Sequence, residues 1–477
     1  MVGTEDCHAL LGTFYRVCHI RAHDCVSDAP TDVTRMFEFS GYTINKEKNS
    51  IVFSYNLVVS NRKEHFDETI IIPGLSTKID GVPPELLGRV LQSLLLMLGI
   101  SYWKLYCPKH MSTGSIVLTA PQAQFWDTVY TKGLGEFFYG NAIDFRGLVQ
   151  FPFQSGKEVA SIPVSSLAGS VVQLGGGKDS VVSGELLRTH TMPFVLACLN
   201  AGSVQKNVAR VMGKTAIDVQ RVLDPRLFEL NKKPGVYNGH IPISAVYAFV
   251  DLLIAVLYGY EYIIASNEES ASYGNVRYNG EEINHQWSKS WEFEQLFRRY
   301  VADFITPSVS YFSLLRPLKE IKIVELFTRY KQYFPIFSSC NTNFRIHNRQ
   351  KDSLWCGRCP KCAFVFLLLS AFLSKREVMG IFHKNLFADE ELVSTFEELL
   401  GLARFKPFEC VGTPEESRWA LWQVLQKKEH DNDVVIKKLK AALAVDRQEM
   451  KAAEKQLFRL QKTHAIPEAF VSILHTL

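Results

Sequence analysis

The segment that most limits how this chain can fold is a glycine-rich turn between an apolar strand and an apolar helix. Residues 171–187 read VVQLGGGKDSVVSGELL, so a short predicted strand runs into Gly175, Gly176 and Gly177 and then into a predicted helix at 180–188. Glycines let the backbone adopt positive φ and approach a ligand closely. Backbone N–H groups at such a turn, and at the start of the helix, suit phosphate or pyrophosphate. The segment therefore predicts a nucleotide site.

Three polar residues follow the glycines and extend this prediction. Lys178 supplies a mobile positive charge, Asp179 either orients magnesium and the phosphates or caps the turn, and Ser180 is placed to cap the helix. Two better-known loops are excluded. A Walker A motif would need Gly at 172 and Ser or Thr at 179, and a dinucleotide fingerprint would need Gly at 180. A glycine turn that binds nothing is the remaining alternative.

Four cysteines with metal-ligand spacing form a second pattern. Cys356, Cys359 and Cys362 are separated by two residues each, and Cys340 lies upstream. Four thiolates provide the closed tetrahedral shell of a structural zinc site. A disulfide cluster and an iron–sulfur cluster are the alternatives. We expect structural zinc.

Composition narrows the class of protein. A chain of 477 residues predicts two or three domains. Its net charge of +4 arises without a Lys/Arg-rich tract, so we expect no nucleic-acid partner. The apolar run 241–258 contains Pro242 and Asp251, which favours a buried helix over a membrane span. The N-terminus lacks a secretion pattern and the other six cysteines are scattered, so we expect a cytoplasmic protein with no membrane partner.

The order of predicted elements divides the chain into three parts. Residues 1–155 alternate strand-like runs with one helix, as in an α+β domain, and residues 376–477 are predicted to be helical. Residues 156–375 alternate strands and helices, which predicts an α/β domain with a parallel sheet that ends in the cysteine cluster. Ligands of such sheets bind at the carboxyl ends of the strands. The glycine loop, Asn200 and the 266–270 segment are therefore expected to converge.

Other polar residues are candidates for the same predicted site. Glu268 and Glu269 follow a strand end, where a carboxylate either reaches magnesium, acts as a base or lies in a solvated loop. The segment 284–292, which includes His285, mixes polar and aromatic residues as substrate loops do. The segment 316–320 begins a predicted helix and either presents charge to a phosphate or forms surface ion pairs.

The glycine loop is similar to the PP-loop, Ser-Gly-Gly-x-Asp-Ser, of the ATP pyrophosphatase superfamily, with Gly175 in place of the first Ser. The Cys-x-x-Cys-x-x-Cys element with its upstream Cys also resembles the zinc site of 7-cyano-7-deazaguanine synthase, itself a PP-loop enzyme. Members of this superfamily cleave ATP between its α- and β-phosphates and form an adenylylated substrate and pyrophosphate. The resemblance implies a PP-loop α/β fold, with ATP and Mg²⁺ as cofactors beside Zn²⁺.

Within that superfamily the chain resembles the UDP-N-acetylmuramoyl-L-alanyl-L-glutamate epimerases. The resemblance is carried by GGGKDS, ASNEESA, HQWS and WCGRCPKC. It implies ATP-dependent inversion of the terminal L-glutamate of a small nucleotide-sugar peptide, a precursor of peptidoglycan, through an adenylylated α-carboxylate, with release of AMP and pyrophosphate.

The same resemblance suggests roles for individual residues. The glycine loop and Lys178 would bind the leaving pyrophosphate, and Asp179, with Glu268 or Glu269, would hold magnesium. His285, Glu268 and Glu269 are the candidate proton-transfer groups. Two other functions stay open: a PP-loop ligase or amidating enzyme, and a non-catalytic nucleotide-binding or scaffold protein. The oligomeric state also stays open.

Overall fold

The computed structural model describes residues 35–60, 62–344, 353–402, 406–442 and 447–477. The part of the chain from Arg35 to Leu477 forms one compact unit of mixed α/β structure. The predictions that concern the N-terminal sequence and its three cysteines lie outside the described residues.

The strands are numbered β1 to β11 in chain order. They are Arg35–Asn45, Ser50–Val59, Arg62–Ile71, His110–Ser112, Ser170–Gln173, Phe194–Leu199, Ala216–Val222, Tyr262–Ala265, Val276–Tyr278, Glu281–Ile283 and Ser310–Ser313.

The α-helices are numbered α1 to α17. They are Leu75–Lys78, Pro84–Trp103, Ala120–Gly133, Gly135–Gly140, Lys178–Thr189, Ser203–Met212, Pro225–Leu230, Ile243–Tyr258, Trp291–Phe304, Glu320–Phe327, Pro360–Phe372, Lys375–Phe382, Val393–Leu399, Pro414–Lys427, Val434–Ala442, Arg447–Leu457 and Glu468–Leu474. Short 3-10 helices are Ile79–Gly81, Glu269–Ser272, Trp287–Lys289, Lys331–Tyr333, Asn341–Phe344, Leu386–Ala388 and Glu390–Leu392.

One large sheet organises the fold. Its strand order is β11-β8-β5-β6-β7-β3-β2-β1-β4, and β9 pairs with β10 in a separate hairpin. The five strands β11, β8, β5, β6 and β7 are parallel to one another, as the alternation of strands and helices predicts. Strands β1 and β2 pair antiparallel. The PP-loop fold itself stays a prediction.

The sheet continues across the predicted boundary near residue 155. Strand β3, from the predicted N-terminal part, pairs antiparallel with β7 from the central part, with Ile70 opposite Arg221. The two parts therefore share one hydrogen-bonded sheet, and the three-part division describes the order of elements along the chain.

Buried helices cover the sheet. The run predicted to be a buried helix forms α8, whose side chains from Ser244 to Leu257 are almost all buried. Among the described helices only α2 is long and apolar enough to cross a membrane, and 78% of its apolar window is buried inside the protein. Proline at its first position provides the φ that a helix start requires. Both apolar helices, α2 and α8, therefore lie in the core of the protein.

The C-terminal region is helical, as predicted. Leu439 and Leu457 are fully buried in a core cluster that they share with α11. Helices α15 and α16 therefore pack on the core of the protein itself.

Candidate active site

Loops from three parallel strands meet at the carboxyl edge of the sheet. The glycine loop follows β5, the segment with Glu268 follows β8, and the turn after β11 begins α10 at Glu320. Asp179, Glu268 and Glu320 each present a carboxylate oxygen, and these oxygens lie within 4.8 Å of one another. The predicted convergence of the glycine loop with the 266–270 segment is confirmed.

Two of the three loop glycines are required by the local geometry. Gly176 has φ +85°, and a Cβ there would lie 2.7 Å from Cγ1 of Val204. A Cβ on Gly177 would lie 2.6 Å from Oγ of Ser339. Gly175 is exposed, and nothing lies within 4 Å of its Cβ position. The open side of the loop is therefore at Gly175, where a ligand can approach the backbone.

The helix after the loop begins earlier than the sequence predicts. Gly177 is its N-cap and Lys178 its first residue, so the prediction that Ser180 caps the helix is wrong. Glycine adopts the extended cap conformation without a side-chain contact, and Ser180 falls inside the first turn. Its Oγ accepts a hydrogen bond from N of Gly176 at 3.2 Å and donates to O of Gly177 at 3.0 Å. Ser180 therefore holds the loop closed from within.

Lys178 lies at the centre of a buried ion-pair network. Its side chain is fully buried; Nζ pairs with Asp179 and lies 2.8 Å from Oε2 of Glu320. Lys361, inside the cysteine motif, lies 3.2 Å from Oε1 of the same glutamate. Burial lowers the pKa of Lys178, but the charges of Asp179 and Glu320 outweigh it and raise that pKa above its usual value. The ammonium therefore stays charged.

Glu268 brings a third carboxyl group to Asp179 and Glu320. Burial, followed by the charges of Glu320 and Asp179, raises its pKa to about 7. Three converging carboxylates are the oxygen ligands that Mg²⁺ prefers, and a divalent cation would relieve their repulsion. The donor set of Asp179, Glu268 and Glu320 therefore fits magnesium.

Glu269 points away from this acidic cluster. Its carboxylate pairs with Nζ of Lys319 at 2.7 Å, and its side chain is more exposed than that of Glu268. Glu269 and Lys319 line a cavity of about 690 Å³ together with Lys406, Arg418 and Glu415. The cavity therefore presents three cationic and two acidic side chains to a ligand.

Asn200 lies at the end of β6, as predicted, but its side chain is already paired. Its Nδ2 donates to O of Arg221 at 3.0 Å and its Oδ1 accepts from N of Arg221 at 2.8 Å. Its φ of +56° is one that asparagine tolerates better than most residues. The amide therefore fixes the strand end, and its nucleotide contact stays a prediction.

Arg316 joins two loops of the site. Its buried guanidinium lies 2.9 Å from Glu294, donates to O of Glu268 at 2.6 Å and donates to O of Lys289 at 2.7 Å. Of the two roles considered for segment 316–320, ion pairing is the one Arg316 adopts, in the interior and not at the surface. The substrate-loop candidate 284–292 is thereby tied to the acidic cluster.

His285 lies in a group of ionisable residues beside this loop. Its Nδ1 bonds Glu136 in the first turn of α4, and its Nε2 lies 3.6 Å from Sγ of Cys410. Nζ of Lys289 donates to the same sulfur at 3.7 Å. The ring of His240 lies 4.5 Å from the ring of His285. The histidine is therefore held between a carboxylate and a thiol.

The four predicted metal-ligating cysteines come together. Sγ of Cys362 lies 3.7 Å from that of Cys356 and 3.5 Å from that of Cys359, and all four sulfurs, including that of Cys340, lie within 4.8 Å of one another. Thiolates on one zinc ion would be ~3.8 Å apart, given Zn–S bonds of about 2.3 Å. The cluster therefore fits a single tetrahedral metal, and all four cysteines are free of disulfides.

Sequence reasoning missed Glu320, Lys361, Lys289, Glu136 and Cys410 as members of these clusters. Glu320, Lys361 and Lys289 stood in segments already singled out. Only the fold brings Glu320 to Lys178 and Lys361 to Glu320. Cys410 was counted among the scattered cysteines, and Glu136 gave no sequence signal at all. Their partners are distant in the chain, so local patterns do not reveal them.

The fold and this site define an α/β protein with a glycine-rich loop at the carboxyl edge of a parallel sheet and a four-cysteine cluster. Residues 29–314 match the family model described as the MurL N-terminal domain, and residues 336–455 match the MurL C-terminal domain. The chain belongs to the MurL family, the UDP-N-acetyl-alpha-D-muramoyl-L-alanyl-L-glutamate epimerases.

Curated relatives carry the same name. The epimerase of Xanthomonas oryzae pv. oryzae is 36% identical over 84% of this chain and 89% of its own length. That of a Micromonospora species is 35% identical over 92% of this chain and 97% of its own length. That of Salinispora tropica is 35% identical over 81% of this chain and 84% of its own length. No solved structure matches the chain.

Proposed function

We propose that the protein inverts the terminal L-glutamate of UDP-N-acetylmuramoyl-L-alanyl-L-glutamate to D-glutamate, and that it does so by adenylylating the α-carboxylate with ATP. The inversion is the activity for which its curated relatives are named. The observation that supports the ATP-dependent step is the buried Lys178, which lies between the glycine loop and the acidic cluster.

Adenylylation solves a specific chemical problem. A free carboxylate acidifies its α-proton poorly, because the enolate would carry a second negative charge. A mixed anhydride with AMP removes the first charge, so a protein base can take the proton. Reprotonation from the opposite face, followed by hydrolysis, gives the D-glutamyl product, AMP and pyrophosphate.

The loop and Lys178 would act on the leaving pyrophosphate. The exposed backbone at Gly175 leaves room for a phosphate, and the first N–H groups of α5 point toward the loop. Lys178 stabilises negative charge as it develops on the phosphates. Asp179, Glu268 and Glu320 would hold Mg²⁺, which neutralises phosphate charge when bound. Glu269 and Lys319 would lie beside the substrate in the neighbouring cavity.

The cysteine cluster would hold structural zinc. Cys340 follows Ser339 in the chain, and Cys362 lies in the first turn of α11. One ion bound by all four cysteines would therefore connect the turn before α11 to the loop that contains Ser339. Because Ser339 packs on Gly177, zinc would support the nucleotide loop indirectly. A small nucleotide-sugar peptide is the proposed partner. A cytoplasmic location stays a prediction.

The test compares AMP release in the wild type, Lys178→Ala and a control, Lys63→Ala, on the exposed side of β3. With ATP, Mg²⁺ and the L-glutamyl substrate, the wild type and the control should release AMP. Lys178→Ala should lose activity by about 10²–10³-fold, as when one transition-state donor is removed. Unchanged AMP release in the folded variant would contradict the proposal. AMP release that requires added ammonia or an amine would instead favour the ligase.

A further inference from the structure

One nucleophilic side chain near the proposed site has no role in the mechanism so far. Cys410 lies in the loop that precedes helix α14. It is half-buried, whereas Cys107 and Cys198 are fully buried. Cys410 is therefore less enclosed than these two cysteines.

Two cationic side chains flank its sulfur. Nε2 of His285 lies 3.6 Å from Sγ and Nζ of Lys289 lies 3.7 Å from it. Glu136 bonds the other ring nitrogen of His285, which directs Nε2–H toward the sulfur. A nucleophile, a base and an orienting carboxylate in this order are the arrangement that activates catalytic thiols.

The loop that carries Cys410 is fastened to the loop that carries His285. Asn275 donates to O of Pro407 at 2.7 Å, and its Oδ1 accepts from N of His285 at 2.8 Å. Gln286 donates to O of Val411 at 3.1 Å. Two buried amides therefore fix the position of the thiol relative to the imidazole.

The same group is attached to the proposed activation site. Arg316 donates to the carbonyl oxygens of both Glu268 and Lys289, so one guanidinium spans the acidic cluster and the residue that contacts Cys410. Of the other candidates for proton transfer, Glu268 is one of the proposed magnesium ligands and Glu269 is paired with Lys319. Cys410 and His285 form a further ionisable pair beside this cluster.

We propose that the Cys410 thiolate is the base that removes the glutamyl α-proton, with His285 and Lys289 holding the sulfur ionised and Glu136 orienting His285. The inference rests on the proposed function, because only the adenylylated substrate has an α-proton acidic enough to be removed. It assigns His285 a positioning role in place of the proton-transfer role that the sequence suggested.

The step balances without any further reagent. The Cα–H bond breaks, its proton forms an S–H bond on Cys410, and its electron pair passes into the enolate of the acyl adenylate. Water protonates the carbon from the opposite face, and the thiol returns its proton to solvent. Nothing is oxidised or reduced.

The electrostatics of the pair agree with this role. Burial raises the pKa of Cys410, but Lys289 and then His285 outweigh it and lower that pKa to about 5. Burial lowers the pKa of His285, but Cys410 and Glu136 raise it to about 10. Thiolate and imidazolium therefore coexist at neutral pH. Burial raises the pKa of Cys107 to about 12, so that thiol stays protonated.

The decisive experiment separates activation from proton transfer. Wild type, Cys410→Ala and the control Cys107→Ser are incubated with ATP, Mg²⁺ and the L-glutamyl substrate in deuterated water. Cys410→Ala should still release AMP within a few-fold of wild type, but should lose deuterium incorporation and D-glutamyl product by about 100-fold or more. Cys107→Ser should behave as wild type.

Each other outcome has a distinct meaning. Deuterium incorporation that is unchanged in Cys410→Ala overturns the inference and directs attention to Glu268. Equal loss of AMP and deuterium in a folded variant also overturns it, because Cys410 would then bind substrate. Absence of AMP in the wild type would instead contradict the proposed function. Should the variant fail to fold, iodoacetamide labelling of Cys410 in the wild type decides: half-maximal labelling near pH 5 supports the inference, and near pH 9 overturns it.

The positioning roles of His285 and Lys289 are tested by the pH dependence of deuterium incorporation. The charged groups that act on Cys410 are Lys289, His285, Lys361, Lys406 and Glu409. A thiol at its ordinary pKa of 9.0 is only ~1% ionised at pH 7. Without the two flanking cations, burial keeps the pKa of Cys410 at or above this ordinary value. The double variant His285→Gln, Lys289→Met should therefore lower deuterium incorporation at pH 7 by at least ~100-fold, and the incorporation should rise as the pH is raised. A loss that is independent of pH would mean a merely structural role.

Discussion

The glycine loop departs from the PP-loop pattern at one position, and restoring the missing hydroxyl is a direct test of what the loop binds. The substitution is Gly175→Ser. Nothing lies within 4 Å of a Cβ at this position, and Gly175 is absent from the loop glycines with positive φ. The variant should therefore fold without strain, and its hydroxyl should face the space in which a phosphate is expected.

The size of the effect follows from one added hydrogen bond. Such a bond contributes about 0.5–1.5 kcal/mol net, which corresponds to ATP binding that is ~2- to 12-fold tighter. The change in unfolding free energy should stay within about 0.5 kcal/mol, as for exposed substitutions that disturb no contact. The Gly175→Ser substitution is thus expected to increase the affinity for ATP without changing the stability of the protein.

Calorimetric titration with ATP and Mg²⁺ measures the affinity, and thermal unfolding without ligand measures the stability. Gly177→Ser is the matched control, because its Cβ would lie 2.6 Å from Oγ of Ser339 and the loop would have to shift. That control should weaken ATP binding and lower the unfolding temperature. A well-folded Gly175→Ser protein with unchanged or weaker ATP affinity would refute the claim that phosphate binds at the open side of this loop.

Three further predictions concern stability and metals. Gly176→Ala should lower the unfolding free energy, measured in urea, by at least about 1–2 kcal/mol, because alanine disfavours φ +85° and its Cβ would contact Val204. Glu320→Gln leaves two buried lysines with one counter-charge fewer and should destabilise the fold by about 3–5 kcal/mol while abolishing Mg²⁺-dependent AMP release. Cys356→Ser should lose bound zinc, measured by metal analysis of the purified protein, and chelators should lower the unfolding temperature of the wild type.

Each of these has a matched control or a contrary result. Gly140→Ala meets nothing within 4 Å and should leave stability nearly unchanged. Glu390→Gln removes an exposed ion pair with Lys438 and should cost less than about 1 kcal/mol. Cys198→Ser should keep its zinc. Full zinc content in Cys356→Ser, or iron in place of zinc in the wild type, would contradict the zinc assignment.

Sequence patterns predicted the parts of this structure that depend on neighbouring residues. The strand, three glycines and helix around Gly176 form a local unit, so their period and composition identify them. The spacing of Cys356, Cys359 and Cys362 likewise identifies the cysteine cluster. The parallel sheet followed from alternating elements, and the convergence of Glu268 on the glycine loop followed from the sheet.

The remaining features depend on contacts between distant residues. Glu320 joins Lys178 across 142 positions and Cys410 joins His285 across 125, distances at which no periodic pattern carries information. The pairing of β3 with β7 likewise needs the fold, because either strand alone could have formed an edge. The misplaced helix cap has a simpler cause: Ser180 has the preferred residue type, but Gly177 already provides the required backbone geometry.

The most direct test of the account measures ATP consumption and inversion together in the wild-type protein. Purified protein is incubated in deuterated water with Mg²⁺ and UDP-N-acetylmuramoyl-L-alanyl-L-glutamate, with and without ATP. We expect the protein to release AMP, and to form a D-glutamyl product with deuterium at the glutamate α-carbon, only when ATP is present. Inversion with deuterium incorporation in the absence of ATP would contradict it, because the α-proton would then be removed without activation of the carboxylate.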